Sequence, residues 1–240
     1  MVKINYRFFL KLTGLAFAGI FFLSSCSKKS DDRTATPAAG IMAFNLAPDK
    51  SAVGFSLAKV PFTNGALDYA KYTGSYISVP LGDKTLEAFD YSASSATIAS
   101  SYVSLKKDDF FSVFLVGKGS FYKALIAEDD ISSLSSSSGL AYVRYVNAIV
   151  DSVSAFAVTI KDNANTSVVD ESSIFPTVSN FKGINPGTVN IAVSNSLGLS
   201  LTKSFVAEPK KVYTILFSGL QNSSATPAAI NFIANGTLNQ

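Results

Sequence analysis

The sequence predicts an all-β fold: two tandem immunoglobulin-like antiparallel β-sandwich domains, at 40–130 and 139–240. A Ser-rich linker at 131–138 joins them, and an N-terminal segment of different character precedes them. Three observations carry the prediction. Val, Ile, Thr, Phe and Tyr recur in short runs bounded by Gly, Pro, Asn and Asp, which is the chemistry of strands and turns. The runs follow one another at regular spacing, as in a sandwich, rather than alternating with helical stretches. The pattern that begins at Gly40 begins again at Ala141.

In the first repeat, Ile41–Leu46 reads as a strand ended by Pro48-Asp49, and Val53–Leu57 alternates large and small residues as a half-buried strand does. Residues 58–71 read as loop, with Pro61 and Asn64-Gly65 as turn signals. Tyr76–Val79 leads into a turn at Pro80–Asp83, and Thr85–Tyr91 and Ile98–Leu105 follow as strands. Lys106–Asp109 is a charged hairpin turn before the apolar run Phe110–Val116, which Gly117 closes. Tyr122–Ala127 completes the set.

The stretch 129–139 carries six serines and reads as a linker. The second repeat then offers Ala141–Asn147, Val153–Ile160, Pro186–Ala192 and Phe205–Gly219. Over this last stretch the two copies keep a constant offset of 102 residues, with Phe111 matching Tyr213 and Gly117 matching Gly219. No cysteine lies in either repeat, so the cores rest on Phe, Tyr, Val, Ile and Leu without an inter-sheet disulfide.

The N-terminus is built differently. Lys3, Arg7 and Lys11 form a basic start, and Leu12–Leu23 is an uncharged, apolar run. As a helix these twelve residues would span about 18 Å at roughly 1.5 Å per residue. That is short of the roughly 30 Å hydrocarbon core of a bilayer, which favours a signal segment over a membrane span. Next comes Leu23-Ser24-Ser25-Cys26, holding the only cysteine of the chain.

This box resembles the lipobox of bacterial lipoproteins. The resemblance implies cleavage of residues 1–25, lipidation of Cys26, and a flexible tether over 26–39. Several acyl chains bury enough methylene groups to hold a soluble body at a membrane, where one chain is marginal. Ser27-Lys28-Lys29-Ser30-Asp31-Asp32 resembles the acidic surface-export signal of Bacteroidetes lipoproteins, with Lys28 and Lys29 ahead of the acids. The location implied is therefore the outer membrane, lipid-anchored, on the cell surface or on the periplasmic face.

The body of the chain is similar to domain of unknown function 4397, found in bacterial secreted proteins and lipoproteins. The residues that carry the likeness are Asn45–Asp49 and Val146–Ala148, the Pro-containing turns before a strand, and the Lys-rich turns before Phe110–Phe114 and Tyr213–Phe217. Two departures are visible: no clear acidic-aliphatic repeat after Asp49, and a polar insertion at 161–180. The family implies a β-sandwich and an extracytoplasmic location, and no known activity.

Composition narrows the chemistry. The formal charge is +3, but the three N-terminal cations precede Cys26 and no acid does, so cleavage leaves 17 basic against 17 acidic side chains. With no basic stripe interleaved with aromatics, no nucleic-acid partner is expected. The absence of histidine removes Ser-His-Asp and Cys-His catalysis and histidine metal sites. No Gly-rich phosphate loop occurs.

The acid groups Asp108-Asp109, Glu128-Asp129-Asp130 and Asp170-Glu171 all fall in expected turns or linkers, where acids are usually solvated. The expectation is a non-enzyme without cofactor or metal. Its partners would be the membrane and an envelope protein or a glycan. Tyr69, Tyr72 and Tyr76 are the candidate glycan contacts, against the alternative of core packing. Asp151-Ser152-Val153 resembles the O-glycosylation signal of Bacteroidetes secreted proteins, which would place a modification on Ser152. Two rival roles are a glycan-binding lipoprotein of a polysaccharide-uptake system and a fimbrillin-like pilus subunit.

Overall fold

The computed structural model describes residues 37–93, 95–150 and 154–238. Seventeen strands fill it: β1 (Ala38–Asn45), β2 (Val53–Leu57), β3 (Val60–Pro61), β4 (Ile77–Pro80), β5 (Gly82–Asp90), β6 (Ala96–Leu105), β7 (Phe110–Lys118) and β8 (Phe121–Glu128) in the first half. The second half holds β9 (Ala141–Ile149), β10 (Phe156–Lys161), β11 (Ser167–Ser173), β12 (Thr177–Val178), β13 (Lys182–Ile184), β14 (Gly187–Ser194), β15 (Ser200–Ala207), β16 (Lys211–Gly219) and β17 (Ala229–Thr237). The chain is all-β, as its composition predicts.

They pair into four sheets. The first half forms β4-β1-β7-β8 and β3-β2-β5-β6, and the second forms β12-β9-β16-β17, with β13 also on β9, and β11-β10-β14-β15. The strand order is the same in both halves. So is the register: Gly40 lies opposite Phe110 and, 102 residues on, Tyr142 lies opposite Val212. Gly117 and Gly219 stand at matching places near or at the ends of β7 and β16, with φ of 109° and 107°. A Cβ there would run into the carbonyls of Phe121 and Pro227, so no other residue fits without a backbone shift.

The sheets are not purely antiparallel, in contrast to the expectation. β1 runs parallel to β7, and β9 parallel to β16. Each of these connections crosses to the facing sheet twice and touches its own sheet in between, at β4 in the first half and at β12 and β13 in the second.

Two sheets lie inside and two outside. The β4-β1-β7-β8 sheet shares one core with β3-β2-β5-β6, built on Ile41, Val53, Phe55, Leu86 and Val113. The β12-β9-β16-β17 sheet shares another with β11-β10-β14-β15, built on Tyr145, Phe156, Ile191, Ile215 and Phe217. A third core lies between the two inner sheets, where Met42, Phe44, Leu46, Phe114 and Val116 meet Val146, Ala148 and Leu216.

Strand chemistry explains the layering. All nine residues of β9 are buried, as are seven of the nine in β7 and eight of the nine in β16. Strands apolar at both parities belong to sheets covered on both faces. β14 instead alternates strictly, with Val189, Ile191 and Val193 buried and Thr188, Asn190, Ala192 and Ser194 exposed.

Two segments differ from expectation. The polar insertion 161–180 contains β11, an edge strand antiparallel to β10, and the short β12. The Ser-rich stretch opens on a 3-10 turn, Ile131–Ser133, and its Ile131 and Leu134 pack against a small core of Tyr142, Val212 and Leu238. Cys26 and Ser152 lie outside the described residues.

Candidate functional site

The most elaborate side-chain arrangement sits between the inner sheets, where the chain leaves β8 and crosses towards β9. Asp129 follows β8 and is anchored by its N–H, which donates to the Phe110 carbonyl at 2.7 Å. Its neighbour Asp130 faces solvent and caps the following turn, accepting from Ser133 N–H at 3.2 Å and Ser132 Oγ at 3.0 Å. The Ser133 side chain, then the Ser132 side chain and the Ser133 N–H, hold the Asp130 carboxyl below its ordinary range. The turn fixes Asp129 inward while Glu128 and Asp130 stay outside.

Inside, Asp129 meets Arg144 of β9, with Nη1 to Oδ1 at 2.5 Å and both side chains almost fully buried. The other carboxylate oxygen accepts from Tyr76 Oη and Ser112 Oγ, each at 2.6 Å. Arg144 donates from Nη2 to Ser112 Oγ at 2.8 Å and from Nε to Thr214 Oγ1 at 2.9 Å. Thr214 donates on to Asn235 Oδ1 at 2.6 Å, and Asn235 Nδ2 donates to Tyr76 Oη at 3.3 Å.

The six side chains therefore close a ring, Tyr76–Asp129–Ser112–Arg144–Thr214–Asn235, whose members come from both halves of the chain. The guanidinium also lies over Phe181, at 4.4 Å from the ring centroid, and near Phe114 at 5.7 Å. These aromatic faces cover what the hydrogen bonds leave of it. Burial, and then the charge and hydrogen bond of Asp129, push the Tyr76 hydroxyl well above its ordinary pKa.

Two open clefts flank the ring. One, of about 530 Å³, is lined by Tyr76, Phe110, Glu128, Asp130, Asn235 and Leu238. The other, of about 480 Å³, is lined by Glu128, Leu134, Arg144, Asn180 and Phe181. Acid–base catalysis needs a carboxylate or amine aimed at a substrate position. Asp129 and Arg144 instead spend their donors and acceptors on each other and on the ring. Among the described residues no three His, Cys, Asp or Glu side chains are grouped to hold a metal ion. No helix of the described residues is long and apolar enough to cross a membrane.

The three candidate glycan tyrosines are half-buried and engaged in packing. Tyr72 stacks on Phe44, with centroids 5.2 Å apart and planes 10° from parallel. Tyr76 meets Phe110 edge-on at 5.0 Å and belongs to the ring. Tyr69 reaches into the second half, its hydroxyl 3.4 Å from Ser218 Oγ. Tyr72 and Tyr76 are brought together against the core between the inner sheets.

Of the acids, Asp108 is exposed in its turn, whereas Asp170 and Glu171 lie in strand β11 and not in a turn or linker, and Glu171 accepts from Tyr145 Oη at 2.7 Å and lies 3.3 Å from Lys182. Asp129 is the exception: the structure buries it. Sequence reasoning also passes over Arg144. The available signal was its position inside a strand with no other charge, Ala141–Ile149. A buried charge there requires a counter-charge.

No protein-family model matches the chain. No curated protein matches it. Among solved structures it is similar to a "putative cell adhesion protein" of Bacteroides ovatus, at 9% identity and a TM-score of 0.24, over 85% of this chain and 99% of that one. It is also similar to a "putative cell adhesion protein" of Bacteroides eggerthii, at 10% identity and a TM-score of 0.22, over 83% of this chain and 96% of that one.

Proposed function

We propose that this chain is a non-catalytic binding or structural module of the cell envelope, anchored by lipid on Cys26 at the outer membrane and facing the cell surface. The observation that carries the reading is the order of the N-terminus: three cations, a twelve-residue apolar run too short to span a bilayer, then Leu23-Ser24-Ser25-Cys26 with the sole cysteine. In this reading the body is two immunoglobulin-like repeats, and residues 26–39 hold it off the membrane.

The side chains of the body support a mechanical rather than a chemical role. The extensive buried polar ring is closed on itself, and of the other buried acids among the described residues Glu87 and Asp90 pair with Lys59 and Lys50 while Asp162 accepts from backbone N–H groups and Asn185. The ring makes the two halves move as one, so a ligand or neighbour bound at one end would be held at a fixed orientation from the other. In β9 and β16, apolar residues that an isolated sandwich would expose are covered by the other half, which spares the protein a sticky surface.

Labelling cells with radioactive palmitate tests the anchor. Wild-type protein takes up label and the Cys26→Ala variant does not; absence of label from wild type would refute the localisation. Capture of envelope proteins or glycans by the surface-displayed chain then identifies what it binds.

A further inference from the structure

The two outer sheets share a register but not an outward face. In β10 and β14, Val158, Ile160, Ile191 and Val193 point into the core, and the residues between them, Ala157, Thr159, Ala192 and Ser194, are exposed or half-exposed. In β2 and β5 the core positions are Phe55, Leu57, Leu86 and Ala88, yet the residues between them, Gly54, Ser56, Glu87 and Phe89, are buried as well. Ser56 stands opposite Glu87 and Gly54 opposite Phe89, at the places where the second repeat sets Thr159 opposite Ala192 and Ala157 opposite Ser194. Small side chains open to water suffice in the second repeat. The fold therefore does not require a buried carboxylate and a buried phenyl ring on this face of the first.

Their cover is local. The Phe89 ring lies across Gly54, where a Cβ would collide with it. Tyr91 meets Phe89 edge-on, with centroids 4.9 Å apart, and stays 40% exposed. Lys59 reaches over from the β2–β3 hairpin and pairs with Glu87 Oε1 at 2.5 Å, the Glu87 side chain being 9% exposed and that of Lys59 76%. The hairpin turn is Ala58-Lys59, with φ of 48° and 69°. Turns of this hand favour Asn-Gly, because a residue with an ordinary side chain is strained at positive φ. The chain accepts that strain at the residue that carries the ammonium over Glu87.

Between the hairpin and Tyr91 lies an open pocket of about 250 Å³, lined by Ser56, Lys59, Glu87, Phe89, Tyr91 and Thr97 among others. Glu87 and Lys59 cancel in charge, so the pocket offers no net field to an ion. Glu87 Oε2 accepts only from Ser56 Oγ, at a long 3.5 Å, and keeps acceptor capacity. Lys59 gives one donor to Glu87 and has others to give. The open surface of the Tyr91 ring stands beside both. Donors, acceptors and an aromatic surface without net charge match a ligand with one apolar face and a rim of hydroxyls.

We infer that this pocket binds one neutral hexose unit of a glycan, with the sugar's apolar face on Tyr91 and its hydroxyls donating to Glu87 and accepting from Lys59. The inference rests on reading the body as a binding module. It assigns the glycan contact to Tyr91 and not to Tyr69, Tyr72 or Tyr76, whose rings are engaged in packing.

The test is isothermal titration calorimetry of the purified full chain in detergent with cellohexaose, maltohexaose and mannohexaose, and with hexagalacturonate as the charged counterpart. A neutral hexaose is expected to bind with a Kd below about 1 mM. Tyr91→Ala and Glu87→Gln are each expected to weaken that binding by about tenfold or more, and Tyr91→Phe, which keeps the ring, to stay within about twofold of wild type. Phe121→Ala, at an aromatic 84% exposed outside the pocket, is expected to change nothing. Near-unchanged thermal unfolding of Tyr91→Ala and Glu87→Gln would show that their losses are not misfolding. No binding of any of the three neutral hexaoses, equal binding by wild type and Tyr91→Ala, or binding of hexagalacturonate alone would each overturn the inference. Capture of an envelope protein by wild type and Tyr91→Ala alike, with no hexaose bound, would overturn it while upholding the reading of the body as a binding module.

Discussion

The inner and outer sheets of this protein obey different rules although they carry the same strand order. The outer strand β14 is buried at every second residue, and its exposed positions are Thr188, Asn190, Ala192 and Ser194. The inner strand β9 is buried at every residue. The difference teaches that the alternation of a strand reports how many of its faces are covered, and that two repeats with doubly apolar strands are expected to cover one another. It also explains why the polar ring lies where it does. Ser112, Arg144 and Thr214 point from inner strands into the layer between sheets, so they must satisfy each other.

The largest way to break this difference is to remove one charge from the ring. Arg144→Ala leaves Asp129 buried without its counter-ion, and is expected to cost about 3–5 kcal/mol in denaturant unfolding. The double variant Arg144→Met/Asp129→Leu is expected to recover much of that loss, since an apolar pair needs no counter-charge. Next is Leu216→Ala in the core between the inner sheets, expected to cost about 2–5 kcal/mol by cavity formation. An outer-face change such as Asn190→Thr is expected to stay within about 0.5 kcal/mol, because the side chain is exposed. Similar losses at Leu216 and Asn190 would erase the difference between the layers.

Acid acts on the outer sheet of the first half through Asp90. Asp90 closes β5 and accepts from Lys50 Nζ at 2.8 Å. That bond, with those from Ser92, lowers its carboxyl to about 2. A depressed folded-state pKa contributes stability that is fully present above the unfolded value, near 3.9, and disappears as pH falls through about 2. Melting temperatures taken between pH 5 and pH 2 should fall less steeply for Asp90→Asn than for wild type. Equal slopes would remove Asp90 from the account.

Much of the fold is legible in the sequence. Val53–Leu57, Ile98–Leu105 and Phe110–Val116 all lie within observed strands, because alternation, length and flanking turns agree there. The offset of 102 residues between Gly117 and Gly219 survives as an identical register and a matching positive φ. β11 is obscure because Ser167–Ser173 is an edge strand with only Val169 and Ser173 buried, so its pattern resembles a polar loop.

Parallel pairing of β1 with β7 depends on contacts between residues about 70 apart, which no local pattern encodes. Asp129 is obscure for another reason. It lies between two exposed acids, Glu128 and Asp130, and only the direction in which the turn points its side chain separates it from them. The tyrosines could be singled out as a group, but whether their rings face water or Phe44 is decided by how the inner sheets meet.

The two halves form one four-layered body held by the core and ring between the inner sheets. Differential scanning calorimetry of the purified protein tests this. A single body predicts one cooperative transition, with calorimetric and van't Hoff enthalpies in agreement for the whole of residues 37–238. Two separate transitions in the wild-type protein, each with the enthalpy of about half the chain, would contradict it.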